Sequence, residues 1–291
     1  GNIYTWKDCK YCRCLMLHCT PNKKSYYWLL TIVLTLLSVR TSSANTDWKN
    51  GYAFITSQIG SLSCRDFDGS KMSLHQHDFI EIEGAIINTE EESQLYLSLT
   101  NGLAIGIGPQ SKLHCITYKQ QPYKSERQSN KYEPSTSILK IAFEFGTIAL
   151  SCPHLSPLTE MRLILPIGEL RLHKGTCVIQ CTPSATNITA YDGMLTFYYP
   201  NGSEREFIAE PMSVRITPQS AKLGRIAEDE TDEILEDNLL KLAQATEYAK
   251  NRVLFRVSNR GDVPQLPQPT LVVPNSYYQQ PSARPYEFVK D

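Results

Sequence analysis

The chain has 291 residues, 41% of them hydrophobic and 20% charged, an ordinary globular balance with enough length to bury one large core or two modest ones. Its formal net charge of −1 hides an asymmetry, because six of the 29 Lys and Arg precede Asn45 against one acid, Asp8. The remainder carries 23 basic against 29 acidic residues, and such an acidic body argues against binding a phosphate backbone, so nucleic acid is not an expected partner.

Near the start, Lys23-Lys24 precede an apolar run at 28–39, and Arg40-Thr-Ser-Ser-Ala-Asn45 follows it. Only 15 uncharged residues separate Lys24 from Arg40. As a helix they would span roughly 22 Å, short of the ~30 Å hydrocarbon core of a bilayer. The pattern predicts a secretory signal over 1–44, cleaved between Ala44 and Asn45, in preference to a retained signal-anchor. A periplasmic or secreted location follows. Met16 would give a more ordinary leader, which makes an overextended start an alternative. Cys9, Cys12, Cys14, His18 and Cys19 crowd before the apolar run without the two separated hooks usual for zinc. Five cysteines follow the leader: Cys64, Cys115, Cys152, Cys177 and Cys181. In an oxidising compartment they allow at most two disulfides. Cys177 and Cys181 would lie about 13 Å apart along an extended strand, too far to bridge each other.

From 51 to 218 short β-like runs alternate with turn signals. Leu95, Leu97 and Leu99 share one face of the run 94–100, and Asn101-Gly102 after it suits a type I′ hairpin. The runs 52–56, 103–107, 112–118, 138–145, 147–151, 161–165, 169–173, 177–181, 194–199 and 213–217 continue the pattern. Asp68-Gly69, Asp192-Gly193 and Asn201-Gly202 are further hairpin candidates, and the polar stretch 119–136 reads as a long loop. This spacing predicts a mainly β fold of many short antiparallel strands, as a sandwich, a roll or a short β-helix.

The pattern changes near residue 224. Acids crowd 228–237, Leu235, Leu239, Leu242 and Ala249 recur at helical spacing, and Lys250 and Arg252 close the segment. An amphipathic helix over 228–251, within a 222–252 segment and docked on the β domain, is the expectation. Six prolines after Asp262 predict an extended or disordered tail over 262–291.

The order of these steps resembles the FecR domain over about 51–218. Ile86-Ile-Asn-Thr89 is similar to its "I-x-T" step, and Asn101-Gly102 with Gly108-Pro109-Gln-Ser111-Lys-Leu113 to its "NG…G-P-x-S-x-L" stretch. Phe145-Gly146-Thr147 resembles "xGT", Leu165-Pro-Ile-Gly168 "TP-x-G", Lys174-Gly175-Thr176-Cys-Val178 "RGT-x-F", and Asp192-Gly193 the late "eG" turn. Lys174 stands where Arg is usual and Leu165 where Thr is usual, and a lysine lacks the bidentate fork of an arginine. The resemblance implies a bacterial periplasmic domain of the kind that relays an outer-membrane receptor's signal to a sigma factor. Only 27 residues precede Trp28, too few for the cytoplasmic domain that relay needs, so a short exported member is expected.

The chemistry-bearing residues form no strong motif. His75 and His77, on one face of a presumed strand with Asp78 beside them, are weak metal candidates. Gly102, Gly106 and Gly108 precede no helix and are not a dinucleotide fingerprint. No catalytic residue and no cofactor are assigned. A non-enzymatic module binding a protein partner in the cell envelope is the expected function, with an envelope or carbohydrate-binding structural protein as the alternative.

Overall fold

The computed structural model describes residues 48–123, 131–200, 204–223, 227–228, 233–256 and 267–272. The segment expected to be a leader, with its expected Ala44–Asn45 cleavage point, the early cysteine cluster and Asn201-Gly202 lie outside them. In chain order the strands are β1 (Lys49–Asn50), β2 (Tyr52–Ile59), β3 (Leu62–Arg65), β4 (Lys71–Met72), β5 (Phe79–Glu81), β6 (Ile86–Thr89), β7 (Gln94–Leu99), β8 (Ala104–Ile107) and β9 (Lys112–Gln120). They continue with β10 (Ser137–Cys152), β11 (Glu160–Leu165), β12 (Gly168–Cys181), β13 (Thr186–Tyr198), β14 (Arg205–Ala209) and β15 (Met212–Ile216). Helix α1 (Pro218–Leu223), β16 (Ala227–Glu228), helix α2 (Glu233–Arg252), β17 (Val253–Arg256) and β18 (Gln268–Leu271) complete the order.

The fold is mainly β, and its organising feature is that three strands are long. β10 has 16 residues, β12 has 14 and β13 has 13. Each serves two layers. The first part of β10 pairs antiparallel with β9 and parallel with β11. Its second part, from Gly146 on, pairs with β8 and with the later part of β12. β12 and β13 pair along their whole length and hand over to β15 on one layer and β14 on the other. One layer therefore runs β5-β2-β7-β8-β10-β12-β13-β15-β16, and the other β4-β3-β6-β9-β10-β11-β12-β13-β14. Leu97, Ile105, Leu150 and Ile179 from the first meet Leu113, Phe143, Leu163 and Phe197 from the second in one apolar core. The architecture is a roll.

A strand that bends between layers must change which residues point inward. In β10, Leu139, Ile141 and Phe143 are buried before the bend, and Ile148, Leu150 and Cys152 after it, so the inward set passes from odd to even numbers. β12 switches from Leu170 and Leu172 to Cys177 and Ile179, and β13 from Ile188 and Ala190 to Leu195 and Phe197. Each switch falls at a glycine with positive φ: Gly146 (100°), Gly175 (100°) and Gly193 (80°). Side chains rarely adopt that backbone conformation. Crowding adds to this at Gly175, where a Cβ would lie 2.1 Å from the Asp192 carbonyl oxygen.

These bends correct two expectations, and the strand pairing and the Asn101-Gly102 turn correct two more. The runs 138–145 and 147–151 are one strand, Asp192-Gly193 is a bend within β13 and not a hairpin, and β10 with β11 is parallel. At Asn101-Gly102 only Gly102 has positive φ (86°), with its N–H donating to the Leu99 carbonyl (2.8 Å) and Leu99 N–H to Leu103 (2.8 Å). This is a type I turn closed by a glycine bulge, not a type I′ turn. Buried Asn101 fixes it: its amide donates to Ser137 Oγ (3.1 Å), and its Oδ1 accepts from Leu103 N–H (3.1 Å).

Helix α2 lies on the outer face of the first layer, as its apolar spacing predicts. Leu239, Leu242, Ala243 and Ala249 pack on Tyr96, Ala104, Ala149 and Val178. The approach is close enough that a Cβ at Gly106 would sit 2.1 Å from Thr246 Oγ1. Ser98 Oγ donates to the Ala249 carbonyl (2.9 Å). Glu228, expected to open the helix, is instead in strand: Ala227–Glu228 extends the sheet against β15, and the helix is described over Glu233–Arg252. The proline-rich tail is also partly ordered. Gln268–Leu271 pairs with β17, and Phe255 of that hairpin packs on Phe54 and Phe79. Pro269 is accommodated in this outer strand, where its missing N–H leaves no central ladder broken. No helix among the described residues is long and apolar enough to cross a membrane.

Candidate functional site

The motif residues separate onto three turning points. Thr89, at the end of β6, donates its hydroxyl to the Gly108 carbonyl (2.7 Å) and accepts from Ser111 N–H (2.9 Å). Ser111 Oγ in turn accepts from Thr147 N–H (2.9 Å) and donates to the Pro109 carbonyl (2.9 Å). Thr89, Gly108, Pro109, Ser111, Gly146 and Thr147 thus form one clamp that holds the bend of β10. Asn101 and Gly102 make the β7–β8 turn, where Asn101 N–H donates to the buried Tyr118 hydroxyl (2.9 Å). Lys174, Gly175 and Thr176 sit at the bend of β12, and Thr176 Oγ1 lies 2.9 Å from Ser151 Oγ. The immediate work of the hydroxyls and glycines is to turn the chain.

The clamp also shapes a surface. Between it, the β11–β12 turn at Pro166-Ile167, the β12–β13 turn at Thr182-Pro183 and Pro218 of α1 lies an open groove of about 1080 Å³. Phe145, placed one residue before the Gly146 bend, keeps 46% of its surface exposed in it. Pro109, Pro166, Pro183 and Pro218 stiffen the rim, and Gln110 and Gln180 offer amide donors and acceptors. Glu144 is the groove's charged side chain, and its carboxylate is already held by Lys112 Nζ at 2.8 Å. The lining is therefore close to neutral. Cys181 forms part of the floor, but burial pushes its thiol up to about 11, which leaves little thiolate at neutral pH. The arrangement suits burial of an apolar segment; among the described lining residues the one carboxylate, Glu144, is paired with Lys112 and the one thiol, Cys181, is held protonated.

The other sequence candidates fall elsewhere. His75 and His77 lie in a turn, not on a strand. His75 Nδ1 holds Asp78 Oδ2 at 3.2 Å, while the His77 ring stacks on Phe54 with centroids 5.8 Å apart. The two rings have separate partners and do not share a ligand position. No group of three His, Cys, Asp or Glu side chains among the described residues could hold a metal ion. Cys64, Cys115, Cys152, Cys177 and Cys181 are free and buried. Burial raises every one of these thiols, Cys64 to about 11 and Cys115 and Cys177 to about 12. Thr89, Pro109, Gly146 and Thr147 in the groove's lining were singled out by motif, but the lining comes from six separate stretches, and no local pattern in the sequence joins them. Phe145 is a further signal, an aromatic at the step where the inward set changes.

The chain matches no known family model and no curated protein. Two crystal structures of a candidate anti-sigma factor from Parabacteroides distasonis, at 2.50 and 1.65 Å resolution, are distantly similar in shape. Each shares 9% identity, with 58% of this chain and 66% of that one aligned and a TM-score of 0.36. The chain thus spans just under two thirds of their length. At that level the likeness carries no conclusion about function.

Proposed function

We propose that this protein is a non-catalytic protein-binding module that works outside the cytoplasm, in a signalling or structural assembly of the cell envelope, and that the groove beside Phe145 receives an extended apolar segment of its partner. The observation that carries this reading is the half-exposed Phe145, fixed by a backbone bend in a neutral, proline-rimmed groove. Rigid anchors of that kind lose little conformational freedom on binding, and covering the exposed half of the ring contributes about 2 kcal/mol. The FecR-like order of motifs in the sequence supports the extracytoplasmic setting and the signalling class, and the signal-like leader supports export. The partner is taken to be a protein because the rim amides can meet a peptide backbone while the floor takes alternate apolar side chains.

Selection from a displayed peptide library tests the groove directly. Enriched peptides should carry apolar residues at alternate positions and lose at least tenfold in affinity for Phe145→Asp, whose thermal unfolding should match that of the parent. A photo-crosslinker at position 145 should then trap, in the native envelope, a protein containing such a segment, while one at exposed Phe207 should not. Equal binding by Phe145→Asp, or no enriched peptide while a glycan array gives binding, would sink the proposal.

A further inference from the structure

At the far end of the same β10 segment, about 20 Å from the groove at ~3.3 Å per residue, lies a smaller pocket of different character. Its volume is about 260 Å³, room for a tetrahedral oxyanion and a few waters at about 30 Å³ each. Among its described lining residues are Lys131, Lys174, Lys250 and His154, with Asp192 as the carboxylate. On a chain whose body is acidic, Lys174 and Lys250 come from distant stretches to one small cavity and face that one described carboxylate, a local excess of positive charge.

The lysines are set by structure. The stretch carrying Lys131 is tied to His154 by two backbone bonds, His154 N–H to the Lys131 carbonyl (3.0 Å) and Glu133 N–H to the His154 carbonyl (3.1 Å). Between them the Tyr132 ring stands 5.9 Å from the His154 ring and 5.7 Å from Lys131 Nζ. Lys174 occupies the irregular step of β12 just before Gly175, whose backbone packs directly on Asp192. Lys250 reaches in from the last turn of α2, and its charge opposes the burial-driven rise of the Cys152 thiol at the pocket floor. Elsewhere Lys112, Lys119, Lys140 and Lys241 each hold a carboxylate, on Glu144, Glu83, Glu160 and Asp237. Lys174 and Lys250 form no ion pair among the described residues. Glu133, two residues from Lys131, turns its carboxylate to Ser137, Ser156 and Thr159.

We propose that this pocket is a binding site for a doubly charged oxyanion of the phosphate class, either free phosphate or a phosphate monoester on a larger envelope molecule. A dianion gains from Lys174 and Lys250 at once, and ammonium groups serve phosphate as point charges that need no bidentate geometry. The site is separate from the Phe145 groove and does not depend on it.

Titration calorimetry of the full chain at constant ionic strength tests the site, with inorganic phosphate, glycerol 3-phosphate and vesicles containing phosphatidic acid as probes. At least one should bind, and Lys174→Gln with Lys250→Gln should weaken it tenfold or more. Lys174→Arg with Lys250→Arg should retain binding, and Asp192→Asn should strengthen it several-fold by removing the opposing charge. Circular dichroism should show the glutamine pair folded. If Lys250 only complements the end of α2, the glutamine pair will lower the melting temperature and leave affinity unchanged, which refutes the site. Heat from none of the probes refutes it as well. Tighter binding of inorganic phosphate than of the ester or vesicles would identify the free ion as the ligand, and the reverse a phosphorylated envelope component.

Discussion

The two ends of the second half of β10 can be set side by side. At Gly146 the chain bends beside Phe145 and four prolines, and the surface is neutral and apolar. At the other end Cys152 faces the bends of β12 and β13 at Gly175 and Gly193, and the surface is small and basic. The bends share a device, a positive-φ glycine placed where the inward-facing set changes parity. That device uses backbone alone, so it leaves the rim side chains free to differ. The difference teaches where to seek function in this roll: in residues beside the glycines, since the glycines and the hydroxyls that clamp them are committed to folding.

The largest effect should come from breaking a bend. Gly175→Val places a branched side chain at φ 100° and against the Asp192 backbone, which can yield only by opening the β12–β13 ladder. A loss of at least about 3 kcal/mol is expected in denaturant unfolding, and both surfaces should be lost with the fold. Gly69→Ala is the control. Its φ is 83°, but a Cβ there meets nothing within 4 Å, so a loss of only about 1 kcal/mol is expected. Equal losses would mean that backbone strain alone, and not the packing of two layers, makes the bends sensitive.

Next in size is the helix. Leu242→Asp puts a carboxylate where a buried leucine meets the first layer, and should cost about 3 kcal/mol. Because α2 carries Lys250, undocking it should weaken the basic pocket while leaving peptide binding at Phe145 within twofold. That asymmetry can be read with the same two ligands. An equal loss at both ends would show that the helix supports the whole roll and not one corner of it.

Alternation in Leu95–Leu99 and the spacing of Leu239, Leu242 and Ala249 were legible because each depends only on neighbours along one element. The β class and the docked helix follow from such local patterns. The bends were visible in fragments: Phe145-Gly146-Thr147 and Lys174-Gly175-Thr176 stand out as steps, but a gap in alternation reads as a turn unless the parity on both sides is compared. Pairing of β10 with β11 was not legible, since parallel and antiparallel neighbours present the same alternation. Single members of both surfaces were picked out by motif, Thr89, Pro109, Gly146 and Thr147 in the groove and Lys174 in the pocket, but their meeting was not legible. The groove draws on stretches from Thr89 to Pro218, and the lysines at 131, 174 and 250 become neighbours only when three strands have bent and α2 has docked. Asn101 misled for a related reason, because its buried side chain is held by Ser137, a long-range partner that turn preference does not see.

The smallest expected effect concerns pH and distinguishes the two ends once more. Glu133 anchors the stretch that carries Lys131, and burial raises its carboxyl above the ordinary value despite three hydrogen bonds that favour the charged form. A carboxyl raised in the folded state contributes stability that is complete below the unfolded value and is lost as pH rises through the folded one. Glu133→Gln removes that titration. Its amide oxygen can still accept from Ser156 N–H and the Thr159 hydroxyl, and its NH₂ can donate to Ser137 Oγ. Relative to the parent, the variant should therefore gain melting temperature as pH is raised from about 4 toward neutrality, with the change beginning just above the usual carboxylate range. Peptide affinity at the Phe145 groove should not follow that change, because Glu133 lies at the other end of the roll. Should the variant instead lose stability by the same amount at every pH, the three hydrogen bonds outweigh desolvation, and Glu133 is a structural anchor that does not sense pH.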